Sequence, residues 1–356
     1  MPPACPVVFH VSCKHGKRES PRDKPVASDQ LPRLAYSSQR KVPRDKPRGI
    51  RTAKHQNANV PSFTLPSFAK INWSLEILGR RADGYHEIRT LLQTVSLHDD
   101  LTFSPNESGE ISLSCDDASI PIGSENLILR AATLLRESAG TTTGAKIDLR
   151  KRIPAKGGLG GGSSNAAVAL LGLARLWKID LSSNKLQQMS SKLGADVPFF
   201  LVGGCVLAEG IGTDLTELKD VQSQHLIIVT PNASVSTNDA YSALKAPALT
   251  TLATDTILSS SRAEADPELS RLCTPRNDFE SVIFESEPEI ERAKNALLHA
   301  GAASSLLAGS GSSVFGIFES MEEQERAVRE MKAEPGWRVF PAVTVSRSEY
   351  LQALGF

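Results

Sequence analysis

The chain has 356 residues, of which 40% are hydrophobic and 22% are charged, so two domains with a sizeable core are expected. No apolar run approaches the roughly eighteen residues that cross a bilayer, which argues against a membrane-embedded protein. The formal net charge is zero, but residues 1–60 hold 13 Lys and Arg against 4 Asp and Glu. The rest of the chain is therefore acidic, which argues against specific nucleic-acid binding.

Residues 1–62 are rich in Pro, Ser, Lys and Arg and contain the pentapeptide PRDKP twice. They lack apolar periodicity, which predicts a disordered basic extension. It is interpreted as an accessory tail of a bacterial cytoplasmic protein, as a mis-set translation start, or as a transit peptide that would direct the protein to the plastid stroma. The five cysteines are scattered without a C-x-x-C pair, which favours a reducing compartment over zinc binding.

Residues 63–220 are predicted to form a first domain. SFTLPSFAKINWSLEILGRR predicts a strand or a hairpin in two short runs, and RTLLQTVSLHDDLTFSP and GEISLSC predict further strands. ENLILRAATLLRESAG has helical spacing and should end at Gly140. AKIDLRKRIP predicts a strand, and two helices follow in SSNAAVALLGLARLWKI and SSNKLQQMSSKLG.

Residues 221–356 are predicted to form a second domain after a polar join at about 210–225. HLIIVTP predicts a buried strand, PEIERAKNALLHAG a helix, and SSLLAGSGSSVFGIF a strand pair around a turn. EEQERAVREMKA predicts a helix, and RVFPAVTVS predicts a final strand. Residues 246–270 are rich in Ala, Thr, Ser, Asp and Glu, which predicts a mobile insertion. Because strands and helices do not alternate strictly, the predicted class is α+β.

A glycine-rich segment, residues 154–164, has the sequence PAKGGLGGGSS between a strand and a helix. Glycines let backbone N–H groups converge, and a helix N-terminus attracts anions. This segment therefore predicts a binding site for the phosphates of a nucleoside triphosphate. The P-loop motif fails because Ser163 stands where Lys is required, and a dinucleotide fingerprint lacks its third glycine. Ser163 and Ser164 could cap the helix, contact phosphate or help to hold Mg²⁺.

The glycine-rich segment resembles the P-x-x-x-G-L-G-[GS]-S-[SA] motif of GHMP kinases. Three other segments agree in order: PSFAKINWSLEILGRRADGYHEIRTLLQTV, LGADVPFFLVGG and LLAGSGSSVFGIF. The resemblance implies a two-lobed fold, with an N-terminal lobe like domain 2 of ribosomal protein S5 and a ferredoxin-like C-terminal lobe. It also implies ATP, Mg²⁺ and a small-molecule acceptor. Whether the protein is a monomer or a homodimer stays open.

The motif GRRADGYHE is most similar to the GHMP branch that acts on cytidine diphosphate-linked methylerythritol, more than to the mevalonate, homoserine or galactose branches. Two alternatives stay open: another GHMP small-molecule kinase, and a nucleotide-binding sensor without catalysis. Retention of both Lys70 and Asp196 argues against the sensor.

Lys70 and Asp196 are the candidate catalytic pair. Phosphorylating an alcohol requires positioning, charge neutralisation and removal of one proton, and Asp196 could accept that proton. It directly precedes the apolar run VPFF, beside which a carboxylate is costly without a nearby cation, and Lys70 is the candidate cation. The resemblance implies the same pair.

Further candidate residues follow from the resemblance. It implies that Tyr85 and His86 bind the cytosine, for which an aromatic face and polar groups are suited. It assigns Asn72 to the acceptor hydroxyls, and the turn at Gly309, Ser310 and Gly311, which can form an anion-binding nest, to closure over the phosphates. Candidate ATP contacts are Pro154, Ala155, Lys156, Gly157, Gly158, Leu159, Gly160, Gly161, Gly162, Ser163, Ser164 and Asn126, the last of which could equally be an N-cap. No carboxylate pair has metal-ligand spacing, so Mg²⁺ is expected to bind mainly through the nucleotide phosphates.

Overall fold

The computed structural model describes residues 61–247, 249 and 275–356. The predicted disordered extension, apart from its last two residues, and most of the predicted insertion at 246–270 lie outside the described residues. Within the described ranges, none of the helices combines the length and apolar character that a bilayer crossing requires.

The first sheet has seven strands, in the order β3-β4-β2-β1-β8, with β5 paired to β2 and β6 paired to β5. Their bounds are β1 Phe63–Arg80, β2 His86–Asn106, β3 Ile111–Cys115, β4 Gly144–Arg150, β5 Cys205–Gly210, β6 Asp214–Glu217 and β8 Arg276–Asn277. Of the two alternatives predicted after residue 62, the strand is confirmed and the hairpin is wrong, because β1 is one strand of 18 residues that pairs along its length with β2. Part of the predicted polar join at 210–225 is likewise strand β6.

The pairing of β1 with β2 is interrupted by three register shifts, one of which lies between Asn72 and Ser74. Irregularities of this kind bend a strand and redirect its side chains. Lys70 and Asn72 precede the shift and, being two residues apart, lie on the same face of β1. That face carries the candidate catalytic lysine.

Four helices accompany the first sheet: α1 Leu127–Ala139, α2 Gly161–Trp177, α3 Ser183–Leu193 and α4 Phe199–Val202. The predicted end of α1 is confirmed, since Gly140 adopts φ 63° and its N–H bonds back to the last turn. Most of α2 is buried, including Ala166, Leu170 and Leu173, which lie in the same hydrophobic core as Phe103 of β2. This core fixes the position at which α2 begins.

The second sheet is antiparallel, in the order β11-β7-β10-β9. Its strands are β7 His225–Thr230, β9 Ser304–Leu307, β10 Val314–Phe318 and β11 Arg338–Val343. Helices α5 Thr237–Ala243, α6 Glu280–Ser286, α7 Pro288–His299 and α8 Met321–Lys332 belong to this half of the chain. The predicted α+β class, with two sheets, is confirmed.

The two sheets share a buried core in which Ile71 and Leu91 of the first sheet join Ile228 and Phe315 of the second. The last helix, α9 Arg347–Leu354, returns to the first sheet. There the buried Tyr350 hydroxyl donates a 2.5 Å hydrogen bond to the carbonyl of Phe200. The C-terminus of the chain thus packs against the segment that carries Asp196.

Candidate active site

The glycine-rich segment forms a loop over residues 154–160 and then enters α2 at Gly161. Its N-cap is Gly160, with φ 70° and no side-chain capping bond, so neither Ser163 nor Ser164 caps the helix. Ser164 is buried and receives a 2.7 Å hydrogen bond from Ser67, whereas Ser163 is half-buried and lines a cavity. The uncapped N–H groups at the start of α2 therefore remain available to an anion.

The start of the glycine-rich segment is anchored by Asp99, which the sequence analysis did not single out. This fully buried carboxylate accepts hydrogen bonds of 2.7 Å from the backbone N–H groups of Arg152 and Ile153. Its second oxygen lies 2.9 Å from Lys151 Nζ. A buried carboxylate is tolerated when it is paired and hydrogen-bonded in this way. Asp99 thereby fixes the chain just before Pro154.

The turn at residues 309–313 packs directly on the glycine-rich segment. The N–H groups of Ser312 and Ser313 donate to the carbonyls of Lys156 and Gly157, at 3.3 and 3.2 Å. A Cβ at Gly158 would lie 1.8 Å from the Ala308 carbonyl oxygen, so only glycine permits this approach. Two loops that are far apart in the sequence thus form one backbone-lined surface.

Lys70 lies where β1 meets these two loops. Its backbone N–H donates to the Leu159 carbonyl at 3.0 Å, and its Nζ donates to Oδ1 of Asn72 at 2.9 Å. The side chain is 4% exposed. A Cβ on Gly309 would be only 3.2 Å from Lys70 Nζ, so the ammonium group lies beside the turn. The structure therefore sets a buried cation against both glycine-containing loops.

Asp196 lies in the turn that links α3 to α4, and its side chain is half-buried although the four residues after it are buried. Burial lowers the pKa of Lys70, and the negative charge of Asp196 opposes that shift. Lys70 and Asp196 therefore lie close enough for their charges to interact. A carboxylate that faces a cavity and a desolvated lysine are suited to proton removal and charge stabilisation, respectively.

A cavity of about 890 Å³ opens beside Asp196 and is lined by Ser163, Tyr85, His86 and Tyr241. Tyr85 is 62% exposed. The His86 ring stacks on Tyr241, with centroids 4.7 Å apart and planes 21° from parallel. The predicted pair Tyr85 and His86 therefore shares one cavity with the predicted base Asp196.

Tyr241 was missed by the sequence analysis. It lies on the short helix α5, within the polar stretch VSTNDAYSA, where an aromatic side chain among polar residues was the only available signal. Burial, followed by the charge of Asp196, raises the pKa of Tyr241 to about 12. Burial, followed by the charge of Arg80, lowers the pKa of His86. Both rings are therefore neutral near pH 7 and can stack on an aromatic base.

Asn72 and Asn126 are both engaged within the protein. Asn72 is 2% exposed; its Oδ1 accepts from Lys70 and from the Gly309 N–H, and its Nδ2 donates to Thr90. Asn126 caps α1, since its Oδ1 accepts from the Ile128 N–H at 2.9 Å. Contact of either residue with a substrate stays a prediction.

No cluster of three or more His, Cys, Asp or Glu side chains that could hold a metal is found among residues 61–247, 249 and 275–356. The Ser163 hydroxyl, in the first turn of α2, is an oxygen donor that lines the cavity. A hard oxygen ligand of this kind suits Mg²⁺ that is bound mainly to phosphates.

Comparisons with known proteins agree with this geometry. A model of the GHMP kinase N-terminal domain matches residues 126–204, and a model of the GHMP kinase C-terminal domain matches residues 257–336. The chain is 40% identical over 281 residues to 4-diphosphocytidyl-2-C-methyl-D-erythritol kinase of Chlorobium luteolum, covering 77% of this chain and 95% of that protein. The kinase of the same name from Pelotomaculum thermopropionicum is 41% identical over 260 residues, covering 73% of this chain and 90% of that protein.

Two solved structures superimpose on this chain. A crystal structure of 4-(cytidine 5'-diphospho)-2C-methyl-D-erythritol kinase superimposes with a TM-score of 0.64 at 34% identity, covering 79% of this chain and 99% of that one. Homoserine kinase from Cytophaga hutchinsonii superimposes with a TM-score of 0.59 at 21% identity, covering 80% of this chain and 95% of that one, and thus shares the fold.

Proposed function

This chain belongs to the GHMP kinases and, within them, to the 4-diphosphocytidyl-2-C-methyl-D-erythritol kinase family, and we propose that it phosphorylates the 2-hydroxyl of that diphosphocytidyl alcohol with ATP. This step belongs to the non-mevalonate route to isoprenoid precursors. The observation that carries the proposal is that one cavity joins Asp196, an aromatic pair and the start of α2.

The phosphates of ATP bind at the glycine-rich segment and the 309–313 turn. The uncapped N-terminus of α2 supplies backbone N–H groups and a partial positive charge, which favour an anion. Lys70 Nζ lies at the junction of the two loops, where the transferring γ-phosphoryl group would be held. Leu127, beside Gly162, and the preceding Asn126 are candidates for the nucleoside end.

Phosphoryl transfer then needs a proton acceptor and charge stabilisation more than covalent chemistry. The acceptor hydroxyl gives its proton to the Asp196 carboxylate as its oxygen bonds to the γ-phosphorus, and the bond from that phosphorus to the ADP oxygen breaks. The Lys70 ammonium stabilises the charge on the transferring group. The Ser163 hydroxyl at the start of α2 would help to hold Mg²⁺ on the nucleotide phosphates, where the ion would neutralise their charge.

The aromatic residues support a pyrimidine at the other end of the cavity. Tyr85 and Tyr241 provide faces for stacking, and His86 provides ring nitrogens for the polar edge of the base. This separates the proposed function from that of a GHMP kinase for mevalonate or homoserine, whose substrates carry no base. Oligomeric state, Mg²⁺ dependence and a cytoplasmic or plastid location stay predictions from the sequence.

The proposal is tested by following ADP release with ATP and 4-diphosphocytidyl-2-C-methyl-D-erythritol, in parallel with mevalonate, homoserine and galactose. We expect turnover with the diphosphocytidyl alcohol alone. Turnover with another of these alcohols would assign the protein to a different GHMP branch. ATP binding by calorimetry with no turnover on any alcohol would instead favour a nucleotide sensor.

A further inference from the structure

Asn277, in the two-residue strand β8 beside β1, has no role in the function proposed above. It is 6% exposed. Its Nδ2 donates hydrogen bonds of 2.8 and 2.7 Å to the carbonyls of Leu307 and Gly309, and its Oδ1 accepts from the Phe279 N–H at 3.0 Å. This one side chain therefore ties the end of β9 to the first residue of the 309–313 turn.

Gly309 continues the connection towards Lys70. Its N–H donates to Asn72 Oδ1 at 3.0 Å, and the same oxygen accepts from Lys70 Nζ at 2.9 Å. The other end of the Asn72 amide is held by Thr90, whose hydroxyl donates in turn to the Ser74 carbonyl. Three hydrogen bonds thus link the Asn277 amide to the Lys70 ammonium through Gly309 and Asn72.

We propose that Asn277 is a positioning residue for phosphoryl transfer, which fixes Gly309 so that Asn72 holds the Lys70 ammonium against the transferring group. The inference rests on the proposed function, because it takes Lys70 as the group that stabilises the phosphoryl charge. Without the Asn277 amide, the buried carbonyls of Leu307 and Gly309 lose their donor, and the turn relaxes to regain one. A displacement of about 1 Å at a reacting group can lower the rate about a hundredfold.

The same connection affects the charge of Lys70. Burial disfavours the protonated ammonium, whereas the Asn72 oxygen, as a hydrogen-bond acceptor, and the Asp196 carboxylate favour it. If Asn72 turns away, the pKa of Lys70 falls further. The alkaline limit of activity then moves to lower pH, and a merely structural role for Asn277 would not produce that shift.

The test compares Asn277→Leu with Gln324→Leu, a matched control. Gln324 on α8 is also 6% exposed, and its Nε2 donates to two carbonyls, Leu226 at 2.6 Å and Ala342 at 2.9 Å. Neither carbonyl belongs to the site. Each substitution removes one buried side-chain amide that donates hydrogen bonds to two backbone carbonyls. Each should therefore lower the melting temperature by a similar amount.

Asn277→Leu should lower kcat about a hundredfold, leave KM for the diphosphocytidyl alcohol near the wild-type value and shift the alkaline limb of the kcat profile to lower pH. Gln324→Leu should keep the wild-type kcat and pH profile. Equal kcat values for the two variants, or a loss at Asn277 without the shift in pH profile, would overturn the inference.

Hydrogen exchange separates this inference from the proposed function. Exchange of the Gly309 N–H should accelerate in Asn277→Leu and not in Gln324→Leu, whatever alcohol the enzyme accepts. If the wild-type protein transfers no phosphate, the proposed function fails while the exchange result still tests the link from Asn277 to the turn. If Asn277→Leu does not fold, Asn277→Ala, which removes the amide without adding bulk or charge, replaces it in the same comparison.

Discussion

The Nζ of Lys70 lies 2.9 Å from Oδ1 of Asn72, two residues further along β1. The same oxygen receives the Gly309 N–H, 237 residues away in the chain. Asn72 therefore joins the candidate catalytic lysine to the turn that packs on the glycine-rich segment. Because the Asn72 side chain has three hydrogen-bond partners, it holds the Lys70 ammonium group in one orientation. Stabilisation of a transition state requires such a fixed orientation.

Replacing Asp196 with Asn should preserve the fold and ATP binding but lower kcat by roughly two to four orders of magnitude, because the proton acceptor is lost. The charge of Asp196 also opposes the lowering of the Lys70 pKa by burial. Its removal should therefore bring the alkaline limb of any residual activity to lower pH. Steady-state kinetics against pH measure both effects. Asp214→Asn, on the exposed side of β6, is the control and should leave kcat and the pH profile unchanged. Near-normal turnover in Asp196→Asn would show that Asp196 only positions other groups.

Lys70→Met should abolish most activity, by about two to three orders of magnitude, without loss of stability. Burial lowers the pKa of Lys70, so the folded state binds the proton more weakly than the unfolded state does. Below the folded-state pKa this group therefore opposes folding, and its unfavourable contribution declines as the pH rises from that pKa towards the ordinary lysine value. A methionine of similar length removes the desolvation cost, so the melting temperature at pH 7 should equal or exceed that of the wild type. A fall of many degrees would show that the charge stabilises the fold.

Gly160→Val should disable nucleotide binding. Gly160 has φ 70°, and a Cβ there would lie 2.7 Å from Phe200 Cζ and 3.1 Å from Lys70 Cγ. A β-branched residue would both strain the backbone and displace these side chains. The comparison is Gly162→Ala, where the nearest atom is 3.8 Å away and folding should be normal. Calorimetry with ATP checks the prediction, and unchanged affinity in folded Gly160→Val would refute the assignment of the loop to phosphate.

Tyr241→Leu should raise KM for the diphosphocytidyl alcohol about tenfold or more, since base stacking on an aromatic side chain contributes about 1–3 kcal/mol. Tyr241→Phe keeps the ring that His86 stacks on and should bind the substrate almost as the wild type does. KM for ATP should stay unchanged in both. Equal KM values for the alcohol in the Leu and Phe variants would remove Tyr241 from the base site.

Deleting residues 1–60 should leave kcat and the melting temperature of the remainder almost unchanged. Their composition provides too little apolar surface to offset an ordering cost of about 1–2 kcal/mol per residue. The deletion should also move the isoelectric point to the acidic side, because these residues carry 13 Lys and Arg against 4 Asp and Glu. Differential scanning calorimetry and kinetics of the truncated protein check this. A melting temperature many degrees lower would mean that the extension docks on the enzyme.

Much of the local structure could be predicted from the sequence, because local physical chemistry determines it. The α1 helix ends at Gly140 since glycine adopts the left-handed conformation at little cost. The strand–loop–helix arrangement around the glycine-rich segment follows from periodicity on either side of a glycine cluster. Lys70 and Asp196 were predicted as the catalytic pair from their neighbours and from the ordered motifs that contain them, and their catalytic roles stay a prediction.

The length of β1 and the contacts of the site were decided by the tertiary structure. β1 is continuous because β2 pairs with it throughout and its register shifts absorb the irregularities, which the alternation of residues does not reveal. Tyr241 and Asn277 have ordinary local sequences and acquire their contacts only when the second half of the chain folds against the first. The sequence by itself therefore determined which residue types and backbone segments are present, whereas packing of distant segments decided which of them meet, because hydrogen bonds and stacking depend on distances that local sequence does not set.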